Sequence, residues 1–199
     1  MTNENIVSIL EHEADAVRHI PVTPAFDEAI TLIVEHVHHR RGRLITSGMG
    51  KAGQIAMNIA TTFSSTGTPA FFLHPSEAQH GDLGIIRDED LLLLISNSGA
   101  TREIVDLVTL THRLYPSMPM IVITGKEDSP LARQADITLL TGGAPEGCPL
   151  GLAPTVMTVI GDVLVVNVMR ATGFTAEQYA LRHHGGYLGR KSRHDADAG

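Results

Sequence analysis

Five apolar residues in succession, Leu91–Ile95, place the strongest constraint on how this chain can fold. Such a run predicts a β-strand buried on both faces, as in a parallel sheet covered by helices. The next segment, Ser96-Asn97-Ser98-Gly99-Ala100-Thr101, ends the strand, and apolar residues at helical spacing then continue to about Leu114. Three hydroxyl side chains and a glycine therefore lie where a strand meets the N-terminus of a helix.

This junction is a candidate anion-binding site. Free backbone N–H groups and the positive end of the helix dipole attract negative charge, and small hydroxyls add donors without bulk. The alternative is helix capping, in which Ser98 or Thr101 satisfies the first N–H groups. A cap needs only one hydroxyl, so three hydroxyls and a glycine favour anion binding.

The composition restricts the kind of anion that such a site can bind. The chain has a net charge of -7, no tryptophan, three tyrosines and five phenylalanines. These values argue against a nucleic-acid backbone or stacked bases as the partner. A phosphate site must therefore be local, built from backbone groups, hydroxyls and a few lysines. The 199 residues, 43% of them hydrophobic, suit a single α/β domain.

The cellular location is indicated by three negative features. The single cysteine, Cys148, excludes an internal disulfide and suits a reducing compartment. The N-terminal stretch is acidic and has no apolar core, so we expect no signal peptide. No uninterrupted apolar run approaches the roughly 20 residues that span a bilayer. We expect a soluble cytoplasmic protein with no membrane partner and no nucleic-acid partner.

Strand and helix patterns alternate along the chain, which predicts a doubly wound parallel sheet. The strand patterns cover residues 43–47, 70–73, 91–95, 118–124 and 137–140. Two amphipathic helices precede the first strand, over 3–19 and from Pro24 onward with Thr23 as cap, and we expect them to pack against another subunit. A short helix is expected near Ser129-Pro130, a long apolar helix over 152–169 and a short one over 175–183.

A second glycine-rich turn follows the first predicted strand. Its sequence, Gly48-Met49-Gly50-Lys51-Ala52-Gly53, matches the dinucleotide fingerprint. The second strand, however, ends in Leu73-His74-Pro75 without the acidic residue that binds a ribose, and Ile45 replaces the first glycine of a Walker loop. What remains is a turn that carries Ser47 and Lys51. Two such turns at the carboxyl ends of parallel strands can face one small ligand.

Two histidine-rich stretches raise the question of a metal site. His36 and His39 lie one helical turn apart, and without a carboxylate or cysteine to complete a site they favour a cationic helix C-terminus. The segment 74–83 is unusually polar for a connection between strands. Its ionisable residues, His74, Glu77, His80 and Asp82, could be metal ligands, acid–base groups or part of a solvated loop. Composition alone favours the loop.

Together these motifs resemble the sugar isomerase (SIS) domain family, and within it the isomerase domain of the arabinose-5-phosphate isomerases. The matching segments follow the family order at 47–53, 65–72, 74–84, 96–99, 124–126, 148–149, 152–155 and 185–189. The resemblance implies a three-layer αβα sandwich with a five-stranded parallel sheet of the flavodoxin-like type, in one domain over 1–189. It also implies a homotetramer with shared active sites. Residues 190–199 have the composition of a disordered tail.

The resemblance also implies site residues for a cofactor-free exchange of an aldose phosphate with a ketose phosphate. By position, the active-site residues are Lys51, His80, Glu103, Glu146 and His183, and the phosphate-binding residues are Ser47, Gly48, Gly50, Ser96, Asn97, Ser98, Gly99 and Thr101. Either glutamate could be the base beside C1 and C2. Without the resemblance, Glu103 would be interpreted as a carboxylate in the first turn of a helix, where the helix dipole favours negative charge. The histidines could move protons, and Lys51 could offset the charge of an enediolate.

Three departures from the family pattern bear on function. Arabinose-5-phosphate isomerases usually carry a pair of CBS modules after this domain, and the sequence stops without them, so we expect no regulation of that kind. The helix after Pro154-Thr155 is about one turn short, which leaves the identity of the sugar phosphate open. His183-His184 stands where the family has His-Pro, and we assign the functional histidine to His183.

The leading hypothesis is an isomerase of D-arabinose 5-phosphate and D-ribulose 5-phosphate, a step that would feed synthesis of the octulosonate sugar (Kdo) of lipopolysaccharide or capsule. The alternatives are an SIS isomerase for a hexulose or heptulose phosphate and a phosphosugar sensor without turnover. The joint retention of His80, Glu103, Glu146 and His183 favours an enzyme, because a sensor needs only the phosphate loops. Cys148 is interpreted as a packing residue, with inhibitory binding of a soft divalent metal ion together with the histidines as the alternative.

Overall fold

The computed structural model describes residues 3–143 and 152–185, in which helices and strands alternate. The elements are α1 (Asn3–Arg18), α2 (Ala25–Ile33) continued by a π-helical segment (Val34–His39), β1 (Leu44–Gly48), α3 (Gly50–Ser65), β2 (Ala70–Phe72), α4 (Pro75–Ala78), a 3-10 turn (Asp82–Ile85), β3 (Leu91–Ile95), α5 (Arg102–Leu114), β4 (Met120–Thr124), β5 (Ile137–Leu140), α6 (Leu152–Ala171) and α7 (Ala176–Ala180). The predicted tail, 190–199, and the predicted domain boundary at residue 189 lie outside the described residues.

The five strands form one parallel sheet in the order β2-β1-β3-β4-β5, which confirms the predicted doubly wound architecture. The chain moves outward from β1 to β2 and then crosses back to β3 on the other side of β1. In the β1–β3 pair, Leu44 is opposite Leu91 and Gly48 is opposite Ile95. The direction of winding therefore reverses between β1 and β3, and such a reversal opens a crevice at the carboxyl ends of the two strands.

The two faces of the sheet are covered by different helices. Leu91, Leu93 and Ile95 belong to a core cluster with α2, α3 and α6, whereas Leu92 and Leu94 pack in a second cluster with α5. All five of these side chains have 0% exposure. Burial on both faces explains why β3 is an uninterrupted apolar run rather than an alternating one.

The longest helix, α6, forms the centre of one of these layers. By length and composition alone, its segment Ala153–Ala171 could cross a membrane. In the structure Val156, Ile160 and Leu164 are buried at four-residue spacing, and α6 packs against α1, α2 and α3. Gly161 allows the close approach to α3, since a Cβ there would lie 2.4 Å from the side chain of Ile59.

Two local expectations about helices were wrong. Residues 125–135 form successive turns rather than a short helix. Two of their backbone N–H groups bond to the loop after β3: Gly125 donates to the Asn97 carbonyl and Leu131 donates to the Gly99 carbonyl, each at 3.0 Å. α2 begins one residue later than expected, with Pro24 and not Thr23 at its cap position.

One of the histidines at the end of α2, His39, has a carboxylate partner that the sequence-based interpretation overlooked. Nδ1 of His39 lies 3.0 Å from Glu35, and Nε of Arg40 donates to the same carboxylate at 3.0 Å. These hydrogen bonds, first from His39 and then from Arg40, lower the pKa of Glu35. Across residues 3–143 and 152–185, no group of three or more His, Cys, Asp or Glu side chains could hold a metal ion.

A buried ion pair connects three strands at the amino-terminal edge of the sheet. Asp90, which is 1% exposed, accepts hydrogen bonds from Nη2 and Nε of Arg43 at 2.6 and 3.0 Å. The backbone N–H groups of Arg43 and Arg87 donate to the same carboxylate at 2.9 and 2.8 Å. The Arg43 guanidinium also lies 5.1 Å from the ring centroid of Phe71. Asp90 therefore fixes the start of β1 against β3, and Arg43 extends the contact to β2.

The Asp90→Ala variant should be strongly destabilised, because the Arg43 cation keeps only the Ile85 carbonyl as an acceptor among the described residues, and the N–H groups of Arg43 and Arg87 lose theirs. We expect a loss of about 3 kcal/mol in the free energy of unfolding, measured by denaturant unfolding at fixed protein concentration. Arg40→Ala is the control, since it breaks the exposed pair with Glu35 and should unfold close to the wild-type midpoint. Equal midpoints for the two variants would contradict the role of Asp90.

Candidate active site

A cavity of about 170 Å³ opens at the carboxyl ends of β1 and β3, where the winding of the sheet reverses. Its lining comes from the turn after β1, the loop after β3 and the start of α6: Met49, Lys51, Ala52, Ile55, Ser96, Asn97, Ser98, Thr101, Ala153, Pro154 and Met157. The two glycine-rich turns therefore face one small cavity, as the sequence predicts.

The hydroxyls after β3 are arranged differently from helix caps. Thr101 occupies the cap position of α5, but its side chain makes no capping hydrogen bond. Its hydroxyl instead pairs with that of Ser96 at 2.9 Å. One of the two hydroxyls donates its proton to the other, so the proton of the accepting hydroxyl stays available for a further acceptor. Ser98 is exposed and accepts from the N–H of Ala100 at 3.2 Å, in the turn before the helix.

Gly99 fixes the position of this loop on the rest of the fold. Its φ of 58° lies in the left-handed region that favours glycine. A Cβ at this position would lie 2.1 Å from Oγ of Ser129, in the turns after β4. The loop therefore packs directly against those turns, which hold its hydroxyls and backbone N–H groups in place.

The turn after β1 places its two polar side chains in different environments. Lys51 is exposed and lines the cavity from the first turn of α3. Ser47 has 0% exposure, and its hydroxyl donates to the carbonyl of Leu73 at 2.7 Å. Gly48 and Gly50 shape the turn, and Gly48 approaches α3 so closely that a Cβ would lie 2.7 Å from the Ala52 carbonyl. Ser47 thus supports the segment that follows β2 in the same subunit. Its contact with a phosphate stays a prediction.

A second hollow of about 320 Å³ lies between α4 and α5. It is lined by Ser76, Gln79, His80, Arg102, Glu103 and Asp106. The polar segment 74–83, for which composition favoured a solvated loop, contributes α4 and the 3-10 turn to this part of the fold. Since Thr101 lines the first cavity and Glu103 the second, the start of α5 brings the candidate phosphate ligands next to two candidate acid–base residues.

Within its own chain, His183 lies near the amino-terminal edge of the sheet, whereas the cavity lies at the carboxyl-terminal edge. α6 begins at the cavity with Ala153, and its 20 residues extend about 30 Å. The chain after it places Phe174 against Gly67, in the connection that leads into the start of β2. Tyr179 packs edge-on against Phe174, and His183 stacks on Tyr179. The described part of one chain therefore does not bring His183 to the cavity.

Comparison with known proteins identifies the family. The sequence pattern of the SIS domain matches residues 37–166, well over half of the chain. This chain belongs to the SIS domain family. Among solved structures, a Bacteroides fragilis protein described as a candidate phosphosugar isomerase involved in capsule formation is 62% identical, with a TM-score of 0.90 over 92% of this chain and 98% of that one. An Escherichia coli (strain CFT073) protein in complex with arabinose 5-phosphate is 32% identical, with a TM-score of 0.81 over 92% and 100%.

Curated relatives carry a specific activity in their names. The arabinose 5-phosphate isomerase KdsD of Shigella flexneri is 49% identical over 169 residues, which are 83% of this chain and 51% of KdsD. The KdsD of Pseudomonas aeruginosa is 48% identical over 155 residues, or 76% and 47%. The SIS domain described here thus spans about half the length of the curated relatives that it matches.

Several residues that line the two hollows were not among the predicted site residues. The segment 152–155 matches the family pattern, but nothing in it indicated that Ala153, Pro154 and Met157 form an apolar wall of the cavity, because α6 comes more than 50 residues after the anion-binding loop. Arg102 and Asp106 lie on either side of Glu103 in α5 and form an ion pair at 3.6 Å. Their spacing of four residues on a predicted helix is a sequence signal for such a pair. Glu146 and Cys148 lie outside the described residues, so the role predicted for each stays a prediction.

The Ser47→Ala and Ser98→Ala variants should separate a structural hydroxyl from a ligand-binding one. Ser47→Ala leaves a buried carbonyl without its donor, so the free energy of unfolding should fall by about 1–2 kcal/mol. Ser98→Ala changes an exposed side chain and should leave the unfolding midpoint unchanged. Thermal unfolding of both variants in phosphate-free buffer measures the difference. Equal destabilisation would show that Ser98 also has a structural role.

Proposed function

We propose that this SIS domain is a cofactor-free isomerase that interconverts D-arabinose 5-phosphate and D-ribulose 5-phosphate. The observation that carries the proposal is the convergence of two glycine-rich turns on one cavity, with Glu103 and His80 in the adjoining hollow. The names of the KdsD relatives support this substrate pair. So does the arabinose 5-phosphate bound to the Escherichia coli relative.

The phosphate of the sugar would bind in the loop after β3. The hydroxyls of Ser96, Ser98 and Thr101 supply donors there, and the N-terminus of α5 adds backbone N–H groups and the positive end of its dipole. Lys51 supplies a positive charge from the opposite wall of the same cavity. Fixing the phosphate positions the reacting carbons, because binding energy from a remote group orients the rest of the substrate.

The chemical step moves one proton between neighbouring carbons. A base removes the proton from C2 of the open-chain aldose while the C1 oxygen gains a proton, which gives an enediol. The C2 oxygen then loses its proton, and a proton is added to C1 to form the ketose. Glu103, half-buried at the start of α5, and Glu146 are the two candidate bases. His80 and His183 are suited to ring opening and to proton transfer between the oxygens.

A homotetramer with shared active sites is the assembly that we propose. The outer face of α1 exposes Ile6, Val7, Ile9 and Leu10, each more than half exposed. Beside it, an apolar groove of about 370 Å³ runs between α1, α2 and α6. Apolar surface of this extent is typical of a contact between subunits. In such an assembly, His183 from one subunit would complete the cavity of another.

The cellular role that we propose is cytoplasmic and biosynthetic. Ribulose 5-phosphate is an intracellular metabolite, and a chain with one cysteine is suited to a reducing compartment. Arabinose 5-phosphate would feed synthesis of the octulosonate sugar of lipopolysaccharide or capsule. The description of the Bacteroides fragilis relative as involved in capsule formation supports the second of these destinations.

The Glu103→Gln variant tests the proton-transfer step. If Glu103 handles a proton, kcat for arabinose 5-phosphate should fall by about 10²-fold or more, whereas phosphosugar affinity should stay near wild type. Glu77→Gln is the matched control, since Glu77 is exposed on α4 and lines neither hollow. Ketose formation from a panel of pentose, hexose and heptose phosphates, together with exchange of the C1 or C2 hydrogen in deuterated water, gives the readout.

The outcomes of this experiment separate the competing functions. Turnover restricted to a hexose or heptose phosphate would indicate another SIS isomerase. A wild-type protein that binds phosphosugars but shows neither exchange nor ketose formation would be a binding module. Exchange that persists in Glu103→Gln and vanishes in Glu146→Gln would identify Glu146 as the base.

Mixing two inactive variants tests the shared site. Lys51→Ala and His183→Ala each remove one group from every site, but subunit exchange creates sites with an intact Lys51 from one chain and an intact His183 from another. Activity of the mixture should therefore rise well above that of either variant, and light scattering should give the mass of a tetramer. No recovery in a mixture that has demonstrably exchanged subunits would place the whole site within one chain.

A further inference from the structure

Tyr179 and His183 form a stacked pair at the end of α7, four residues apart. Their ring centroids are 3.7 Å apart, and the ring planes differ by 7°. Nδ1 of His183 also lies 3.0 Å from the carbonyl oxygen of Tyr179. The stack fixes the plane of the imidazole, and the hydrogen bond fixes its rotation within that plane.

The hydrogen bond also decides which ring nitrogen carries the proton. A carbonyl oxygen only accepts, so Nδ1 of His183 must be the donor. A neutral imidazole has a single N–H, and the hydrogen bond made by one nitrogen sets the state of the other. In the neutral ring, Nε2 therefore carries the lone pair and is the atom that can accept a proton from a substrate.

The ring of Tyr179 is itself anchored to the core of the domain. It packs edge-on against Phe174, with centroids 6.5 Å apart and planes at 80°. Phe174 in turn lies against Gly67, where a Cβ would be 2.6 Å from the ring, and the Arg182 guanidinium lies 5.4 Å from the centroid of Phe174. This series of contacts connects His183 to the turn that leads into β2.

We propose that Tyr179 is a positioning residue for the isomerase reaction, which holds His183 as the Nδ1–H tautomer so that Nε2 exchanges protons with the substrate. The inference rests on the proposed function, since it assumes that His183 takes part in turnover. Tyr179 acts only through His183. The contacts use its ring face and its backbone carbonyl, so a phenylalanine should serve as well as a tyrosine.

Two substitutions at Tyr179 test this role. Tyr179→Phe keeps the stack and should retain kcat within about twofold, whereas Tyr179→Leu loses the stack and should lower kcat about tenfold with little change in KM. Tyr115→Leu is the control, since Tyr115 is a half-buried tyrosine that bonds to the Ile86 carbonyl, away from both hollows. It should lower the unfolding temperature without lowering kcat.

A measurement that does not depend on turnover accompanies the kinetics. Nitrogen-15 spectra of histidine-labelled protein, assigned with His183→Asn, distinguish a protonated ring nitrogen from one with a lone pair. We expect Nδ1 of His183 to be protonated in the wild type and in Tyr179→Phe. Tyr179→Leu keeps the carbonyl acceptor but loses the stack that fixes the ring plane, so we expect a mixture of tautomers in that variant. Protonated Nε2 in the wild type would overturn the proposal, even where Tyr179→Leu failed to fold.

The results separate failure of this inference from failure of the proposed function. A wild type without turnover on any phosphosugar rejects the isomerase function and the positioning role together. An active wild type in which Tyr179→Leu keeps full kcat rejects the positioning role alone. A fall in kcat for Tyr179→Leu that Tyr115→Leu does not share, with recovery in Tyr179→Phe, supports it.

Discussion

The pairing of β1 with β3 is the contact on which the rest of this domain depends. It lies at the centre of the sheet, and it aligns Gly48 with Ile95 so that both strands end at the same height. The turn that carries Lys51 and the loop that carries Ser96 can therefore face one cavity, although nearly fifty residues separate them. Asp90 and Arg43 hold the opposite ends of the same two strands. Any slip in this register would separate the two halves of the site.

Much of this arrangement can be predicted from the sequence, because the strongest signals are local. The apolar run of β3 must be buried on both faces, and a hydroxyl-rich loop before a helix attracts anions whatever the remainder of the fold. The alternation of strand and helix patterns predicts a doubly wound parallel sheet, whereas the order of its strands is seen only in the structure. These considerations identified both turns that line the cavity and the reason why they meet.

The remainder depends on contacts that no local pattern reveals. Ser47 is adjacent to the glycine-rich turn in sequence, yet its hydroxyl bonds to the carbonyl of Leu73, because the segment after β2 lies beside the end of β1. The wall at Ala153 comes from a helix that packs by long-range burial. Similarly, Leu131, in the turns after β4, donates to the carbonyl of Gly99 in the loop after β3, a contact that no local pattern shows. His183 is the clearest case. Its position in the family pattern predicts an active-site residue, whereas within its own chain it lies near the amino-terminal edge of the sheet, away from the cavity.

The unequal lengths of α6 and the strands beside it have an evolutionary consequence. A five-residue strand such as β3 rises about 17 Å, whereas the 20 residues of α6 extend about 30 Å. The helix therefore projects beyond the sheet, with a cavity wall at one end and the connection to α7 at the other. Adding or removing one turn would shift these ends relative to each other by about 5.4 Å, while most of the buried contacts in the middle could be kept. The length of this helix can thus change during evolution to suit a different sugar without a new core.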